Sequence, residues 1–160
     1  MKTCVLVLVG TLLVLPTPAP IDIDSLVAPI ALYPDQLLAQ ILMCAGDPPS
    51  VKKLNDFLKA NAKLKGTELQ DAALLAGFEP SFVALALFPD VVRKMTEKLD
   101  RTTLVGQVFT ADRSVVFDSI QKLRAQARDA GTLKSTAQQQ VDTQTTSGGQ
   151  QVIVAPTPRP

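Results

Sequence analysis

The chain has 160 residues, enough for one domain, and its 16 Lys and Arg face 15 Asp and Glu. That balance excludes a protein that holds nucleic acid or an anionic membrane through a net basic excess. Histidine is absent, which excludes His-based acid/base chemistry and His metal ligation. With no Trp and few aromatic residues, Leu, Val and Ala must build the core.

Met1-Lys2 and the apolar run Val5 to Leu15 read as the start of an export signal. Thr17-Pro18-Ala19 supplies small residues for cleavage, so residues 1–19 are expected to be a signal peptide. No transmembrane anchor is expected after cleavage, and the intact mass of the exported protein decides the point. Cys4 leaves with that segment and Cys44 stays. A single thiol among Ile41, Leu42 and Met43 reads as a buried small hydrophobe rather than a redox group.

Residues 22–131 read as one helical domain. Asp22-Ile23-Asp24-Ser25 caps a first helix that is expected to reach Tyr33, with Pro29 one turn in. Pro34-Asp35 opens a second helix, whose Leu37, Leu38, Ile41 and Leu42 form an apolar stripe ending at Gly46. A third runs from about Ser50 to Ala60, with Val51, Leu54, Phe57 and Leu58 inward and Lys52, Lys53, Asn55, Asp56 and Lys59 in water.

Thr67 starts a fourth helix with Leu69, Ala72, Ala73 and Leu75 inward, stopped by Gly77. Glu79-Pro80-Ser81 launches Phe82 to Leu87. Pro89-Asp90 then opens a helix carrying Val91, Val92, Met95 and Leu99 on one face. Asp100 to Thr103 reads as a turn, followed by a short helix over Leu104 to Phe109. Asp112 caps the longest helix, with Val116, Ile120, Leu123 and Ala127 inward, Gln121, Lys122 and Arg124 elsewhere, and Gly131 as the stop. Strand-type alternation is missing from 22–131. The expected fold class is therefore all-α, about seven or eight short helices with Pro-Asp corners. Leu38, Leu42, Leu54, Phe82, Val92, Ile120 and Leu123 are the expected core.

The corner repeats. Ala31-Leu32-Tyr33-Pro34-Asp35 matches Ala86-Leu87-Phe88-Pro89-Asp90, so Tyr33, Pro34, Asp35, Phe88, Pro89 and Asp90 are read as structural helix-start residues. Residues 132–160 form a polar linker, with either a hairpin turning at Gly148-Gly149 or a disordered tail, and a Pro-rich end. Val152, Ile153 and Val154 are the candidate binding segment, because a lone hairpin needs the helical domain or another chain to cover it. On this reading, removing residues 138–160 abolishes partner capture and leaves the helical domain's melting point nearly unchanged.

The blocks LVAPIALYPDQLLAQIL (26–42), LKANAKLKG (58–66), EPSFVALALFPDVV (79–92) and IQKLRAQARDAGTLKST (120–136) resemble the Domain of Unknown Function 3300 family of exported bacterial proteins. Members often carry Trp where this chain has Phe57, Phe78 and Arg101. The resemblance implies a helical domain in a secreted or periplasmic location, with no established activity and no catalytic residues to carry over.

For chemistry, Glu68 with Asp71 and Glu97 with Asp100 share helix faces at i, i+3, and read as first-turn or solvated charges. No catalytic, cofactor or metal residues are assigned. The expected role is non-catalytic binding of an envelope protein or cell-wall polymer. The alternative is an envelope hydrolase using carboxylates alone. Two facing carboxylates in a cleft would separate the two.

Overall fold

The computed structural model describes residues 21–135, 141–147 and 151–155. The expected signal segment, the Gly148-Gly149 turn and the Pro-rich end lie outside those residues. Among the described residues eight helices precede one two-stranded sheet, so the fold is mainly all-α.

The helices are α1 (Ile23–Val27), α2 (Asp35–Cys44), α3 (Pro48–Ala60), α4 (Gly66–Leu75), α5 (Pro80–Leu85), α6 (Pro89–Glu97), α7 (Leu99–Ala111) and α8 (Arg113–Asp129). Asp22, Asp47 and Asp112 cap α1, α3 and α8, each accepting a backbone N–H two or three residues ahead. Helix α1 is shorter than the sequence suggests. Pro29 has no N–H to continue the ladder, and the chain goes through turns to Tyr33 instead. At the far end, Gly131 takes φ 71° and the Thr132 N–H reaches back to the Ala127 carbonyl. That Schellman closure folds Leu133 into a buried position.

Helix α2 runs through the centre of the core. Its Leu37, Leu38, Ile41, Leu42 and Cys44 are all buried, and it packs on α3, α5 and α7. Helix α3 lies on α6, placing Val51 and Leu54 against the face of Val91, Val92 and Met95. Phe57 meets Phe78 edge-on at 5.4 Å, and Phe78 stands 6.5 Å from Phe82, which ties α3 to the α4–α5 corner and α5. Helices α1, α7 and α8 pack together, and their Val27, Val105, Val116 and Ile120 join the same core. Six of the seven expected core residues are buried. Leu123 is partly buried against them.

Four local expectations are corrected. Residues 100–103 are no turn: α7 runs unbroken from Leu99 to Ala111. The Thr102 and Thr103 hydroxyls donate to the carbonyls of Met95 and Leu99 at 2.8 Å. Leu75 is 91% exposed, because α4 packs only its Leu69 and Ala73 side inward. Asn55 is buried on α3 rather than solvated. Arg124, expected off the apolar stripe of α8, is 1% exposed.

Strands β1 (Asp142–Thr145) and β2 (Gln151–Val154) are antiparallel, with Thr143 opposite Ile153 and Asp142 opposite Val154. Strand β2 packs on α8, so the helical domain covers the hairpin. Ile153 and Ala155 are buried, while β1 is exposed along its length.

Candidate functional site

Two features stand out: a polar clasp around Arg124, and an apolar pocket whose wall the clasp positions. Arg124 lies on the same stripe of α8 as Val116 and Ile120, eight and four residues before it, so its guanidinium enters the core. Its Nε donates to the Ala31 carbonyl at 2.8 Å and its Nη2 to the Tyr33 carbonyl at 2.9 Å. Its Nη1 donates to Asp35 Oδ1 at 2.6 Å and to the Ile153 carbonyl at 2.9 Å. A planar fork fits this arrangement, because one group must satisfy acceptors in several directions.

The other carboxylate oxygen of Asp35 accepts the Ala155 N–H at 2.8 Å, and the Asp35 N–H donates to the Ala155 carbonyl at 2.9 Å. Gln121, one turn before Arg124, completes the contact. Its Oε1 accepts the Ile153 N–H at 2.7 Å and its Nε2 donates to the Ile153 carbonyl at 3.2 Å. Polar groups that would be orphaned at the edge of a lone hairpin thus find partners on α8 and the Tyr33-Pro34-Asp35 corner.

The two sequence-equivalent corners therefore differ. Helix α2 begins at Asp35 and α6 at Pro89, with Pro34 and Phe88 at the caps. Asp35 holds the clasp, whereas Asp90 is exposed and pairs with Arg93 at 3.0 Å. Tyr33 is half-buried, whereas Phe88 is 42% exposed. Val152, Ile153 and Val154 all lie on β2, with Ile153 committed to the α8 contact.

A second polar tie joins α1 to α8. Asp24 accepts from the Lys122 ammonium and the Ser119 hydroxyl. Lys122 foremost, and then Ser119, hold the Asp24 carboxyl below its usual range. Asp24 in turn raises Lys122. Elsewhere Glu68 and Asp71 sit exposed on α4, and Glu97 pairs with Arg93 at 3.0 Å. Burial, aided by the Asp47 and Glu79 charges, pushes the Cys44 thiol up to about 12, away from thiolate chemistry.

The pocket, of about 240 Å³, opens where α1, the Tyr33 corner, α2, α6 and α7 meet. Leu26, Ile30, Ile41, Met95 and Val105 line it, and Tyr33 closes one side. Lys94, Lys98 and Arg101 stand at its exposed margin beside Glu97. Among the described residues none of these three cations makes an ion pair, whereas Glu97 is engaged by Arg93. The same corner whose carbonyls grip Arg124 carries Tyr33 and Ile30 into the pocket wall. Arg101 is one of the three positions singled out against the family pattern. The other two, Phe57 and Phe78, meet edge-on.

Compared with known proteins, the chain matches the family described as "Protein of unknown function (DUF3300)" over residues 19–159. The chain belongs to this family. It is 36% identical over 124 residues to the "Uncharacterized protein YacH" of Escherichia coli (strain K12). That alignment takes in 78% of this chain and 20% of YacH, so the chain spans about a fifth of that relative's length. No solved structure matches the chain. In this DUF3300 protein, two of the blocks that carry the resemblance, 26–42 and 120–136, build the clasp. They supply Tyr33 and Asp35 from one side, and Gln121 and Arg124 from the other. Among the described residues no helix is long and apolar enough to cross a membrane.

Sequence reasoning missed Arg124, Gln121 and the pocket. The signal for Arg124 was present. Counting by four from Val116 through Ile120 reaches residue 124, a buried position occupied by a charge that must then be paired. The pocket had no comparable signal, because its walls come from four helices and a corner spread over residues 26–105.

Proposed function

We propose that the chain is an exported bacterial envelope module, secreted or periplasmic after loss of its signal segment, that binds rather than catalyses. Its partner is an envelope protein or a cell-wall polymer. The observation that carries the reading is the pocket: an apolar floor beside three cations that make no ion pair among the described residues. Binding sites commonly pair an apolar cavity with a few polar groups at defined places. Several carboxylates serve structural contacts, while Glu68 and Asp71 stand exposed on α4. Asp35 supports β2, Asp24 joins α1 to α8, and Asp90 and Glu97 hold Arg93.

The test immobilises the full chain and measures capture of envelope proteins and purified cell-wall polymer. Ile30→Trp, which fills the pocket from a half-buried position, is the comparison. Capture by the wild type and its loss in Ile30→Trp, with an unchanged melting point, supports the reading. Capture that survives the substitution places the binding surface elsewhere, with the exposed strand β1 the first place to look. Fractionation of the native chain with intact-mass measurement tests export. A cytoplasmic chain retaining residues 1–19 would overturn that part.

A further inference from the structure

We infer that the pocket receives a single alkyl chain ending in an anionic head, the chemistry shared by fatty acids and single-chain phosphate monoesters. This rests on the pocket being the binding site of the module. The floor fixes the body of the ligand. Leu26, Ile30, Ile41, Met95 and Val105 offer it no charge, and the Thr102 hydroxyl already donates to the Met95 carbonyl, so a polar group pushed inside would lose water for little compensation. At about 240 Å³ the space lies below the ~300–1,000 Å³ common for drug-sized ligands. It therefore suits one narrow chain better than a two-tailed lipid or a fused ring system.

The margin fixes the head. Lys94 and Lys98 sit four residues apart where α6 passes into α7, and Arg101 follows one turn later. Long basic side chains can lay their methylenes along the apolar wall while the charge stays in water. Three such charges stand against Glu97 alone, and Arg93 already draws on Glu97 from outside the pocket lining. A carboxylate or phosphate at the mouth meets this excess, while a cationic head is repelled and a neutral one gains nothing from it. The near-zero charge of the whole chain is compatible with this, because the attraction is local to the pocket mouth.

The experiment titrates the full chain by calorimetry, below micelle concentrations. The probes are octanoate, decanoate, dodecanoate, dodecyl phosphate, dodecanol and dodecyltrimethylammonium. The expected result is one site, with affinity rising about fourfold per added methylene until the pocket is full. Dodecanoate and dodecyl phosphate should bind at least about tenfold more tightly than dodecanol, and dodecyltrimethylammonium more weakly still. The tighter of the two anions identifies the head group. Ile30→Trp should abolish binding of every probe. The triple variant Lys94→Gln, Lys98→Gln, Arg101→Gln, confined to exposed side chains, should bring dodecanoate down to the level of dodecanol and leave dodecanol unchanged.

The inference is overturned by absence of anion binding, by equal binding of dodecanoate and dodecanol, or by dodecanoate binding that survives Ile30→Trp. Failure here is distinguishable from failure of the binding-module reading. Envelope capture that depends on residue 30, with no alkyl anion bound, removes the ligand class and keeps the site. Capture insensitive to residue 30 removes the site itself.

Discussion

Arg124 Nη1 and Asp35 Oδ1 meet at 2.6 Å across 89 residues of chain, one on the last helix and the other at the start of α2. The side chain of Arg124 is 2% exposed and that of Asp35 is 39% exposed. A charge buried this deeply is stable only while its partners remain. Replacing Arg124 by Ala strips the donor from three carbonyls and the counter-charge from Asp35. The expected loss is about 3–5 kcal/mol in denaturant unfolding. Arg124→Lys should recover little of it, since one ammonium cannot reach acceptors that the guanidinium fork serves in separate directions. A loss below about 1 kcal/mol for Arg124→Ala would put the pair in the class of surface salt bridges and refute the clasp.

The hairpin belongs to the helical domain's stability. The sequence pointed to a segment whose removal leaves the melting point nearly unchanged; the clasp implies the opposite. Deleting residues 138–160 removes the Ile153 carbonyl from Arg124 and Gln121, and the Ala155 N–H from Asp35. It also uncovers apolar surface now shielded by Ile153 and Ala155. The melting point should fall by at least about 5 °C, the scale of one to two lost kcal/mol in a chain of this size. A shift under about 1 °C would mean that β2 adds nothing to the fold.

How much of this was legible follows from what each signal reports. Helix starts at Asp22, Asp47 and Asp112 were readable because capping is local chemistry between neighbours in the chain. The buried stripe of α2 was readable from its period. The length of α7 was not, because Thr102 and Thr103 look the same in sequence whether they cap a helix or bond back along one. Arg124 was set aside for its charge although its position was that of a core residue. Leu75 was placed inside for its hydrophobicity, although α4 packs only Leu69 and Ala73. Residue type and helix period disagreed at Arg124, and tertiary partners decided it. The pocket depends on how elements far apart in sequence fail to fill the space between them, which no local pattern encodes.

Gly106 lets α7 press against the backbone at the C-terminal end of α2. A Cβ built there would lie 2.0 Å from the Ala45 carbonyl oxygen and 2.4 Å from its carbon, both backbone atoms. No rotamer change relieves such a clash, so α7 would have to move away from the end of α2. Gly106→Ala should destabilise the fold by about 3 kcal/mol or more, beyond ordinary overpacking, even though Ala favours a helix interior by about 1 kcal/mol. An unchanged or raised stability would show that the α2–α7 contact is looser than described.

Cys44 is fully buried and its thiol is raised to about 12. The native chain should therefore react with a thiol reagent slowly at neutral pH, and quickly once denaturant exposes the group. The native rate should follow the rate of local or global opening, rising in destabilised variants such as Arg124→Ala. Equal native and denatured rates would place the sulfur at the surface.

The tie between α1 and α8 should control the acid limb of stability. Asp24 has its carboxyl lowered below the usual 3.8, by Lys122 first and Ser119 second. A carboxylate depressed in the folded state contributes stability that is present above its unfolded value and lost as pH falls through its folded value. Asp22 and Asp112 are also lowered, mainly by the hydroxyls of Ser25 and Ser114, and share that limb. Lys122 is raised by Asp24, so its contribution is present below 10.5 and fades as pH climbs through the raised folded value. The pair thus gives a plateau between the two limits. Asp24→Asn should lower stability on the plateau and make the decline below pH 3.8 shallower, with Asp22 and Asp112 supplying what slope remains. Lys122→Met should remove part of the acid limb and flatten the alkaline one. Melting curves measured across pH for both variants and the wild type provide the check. If Asp24→Asn leaves the acid limb as steep as in the wild type, the α1–α8 tie does not contribute in solution.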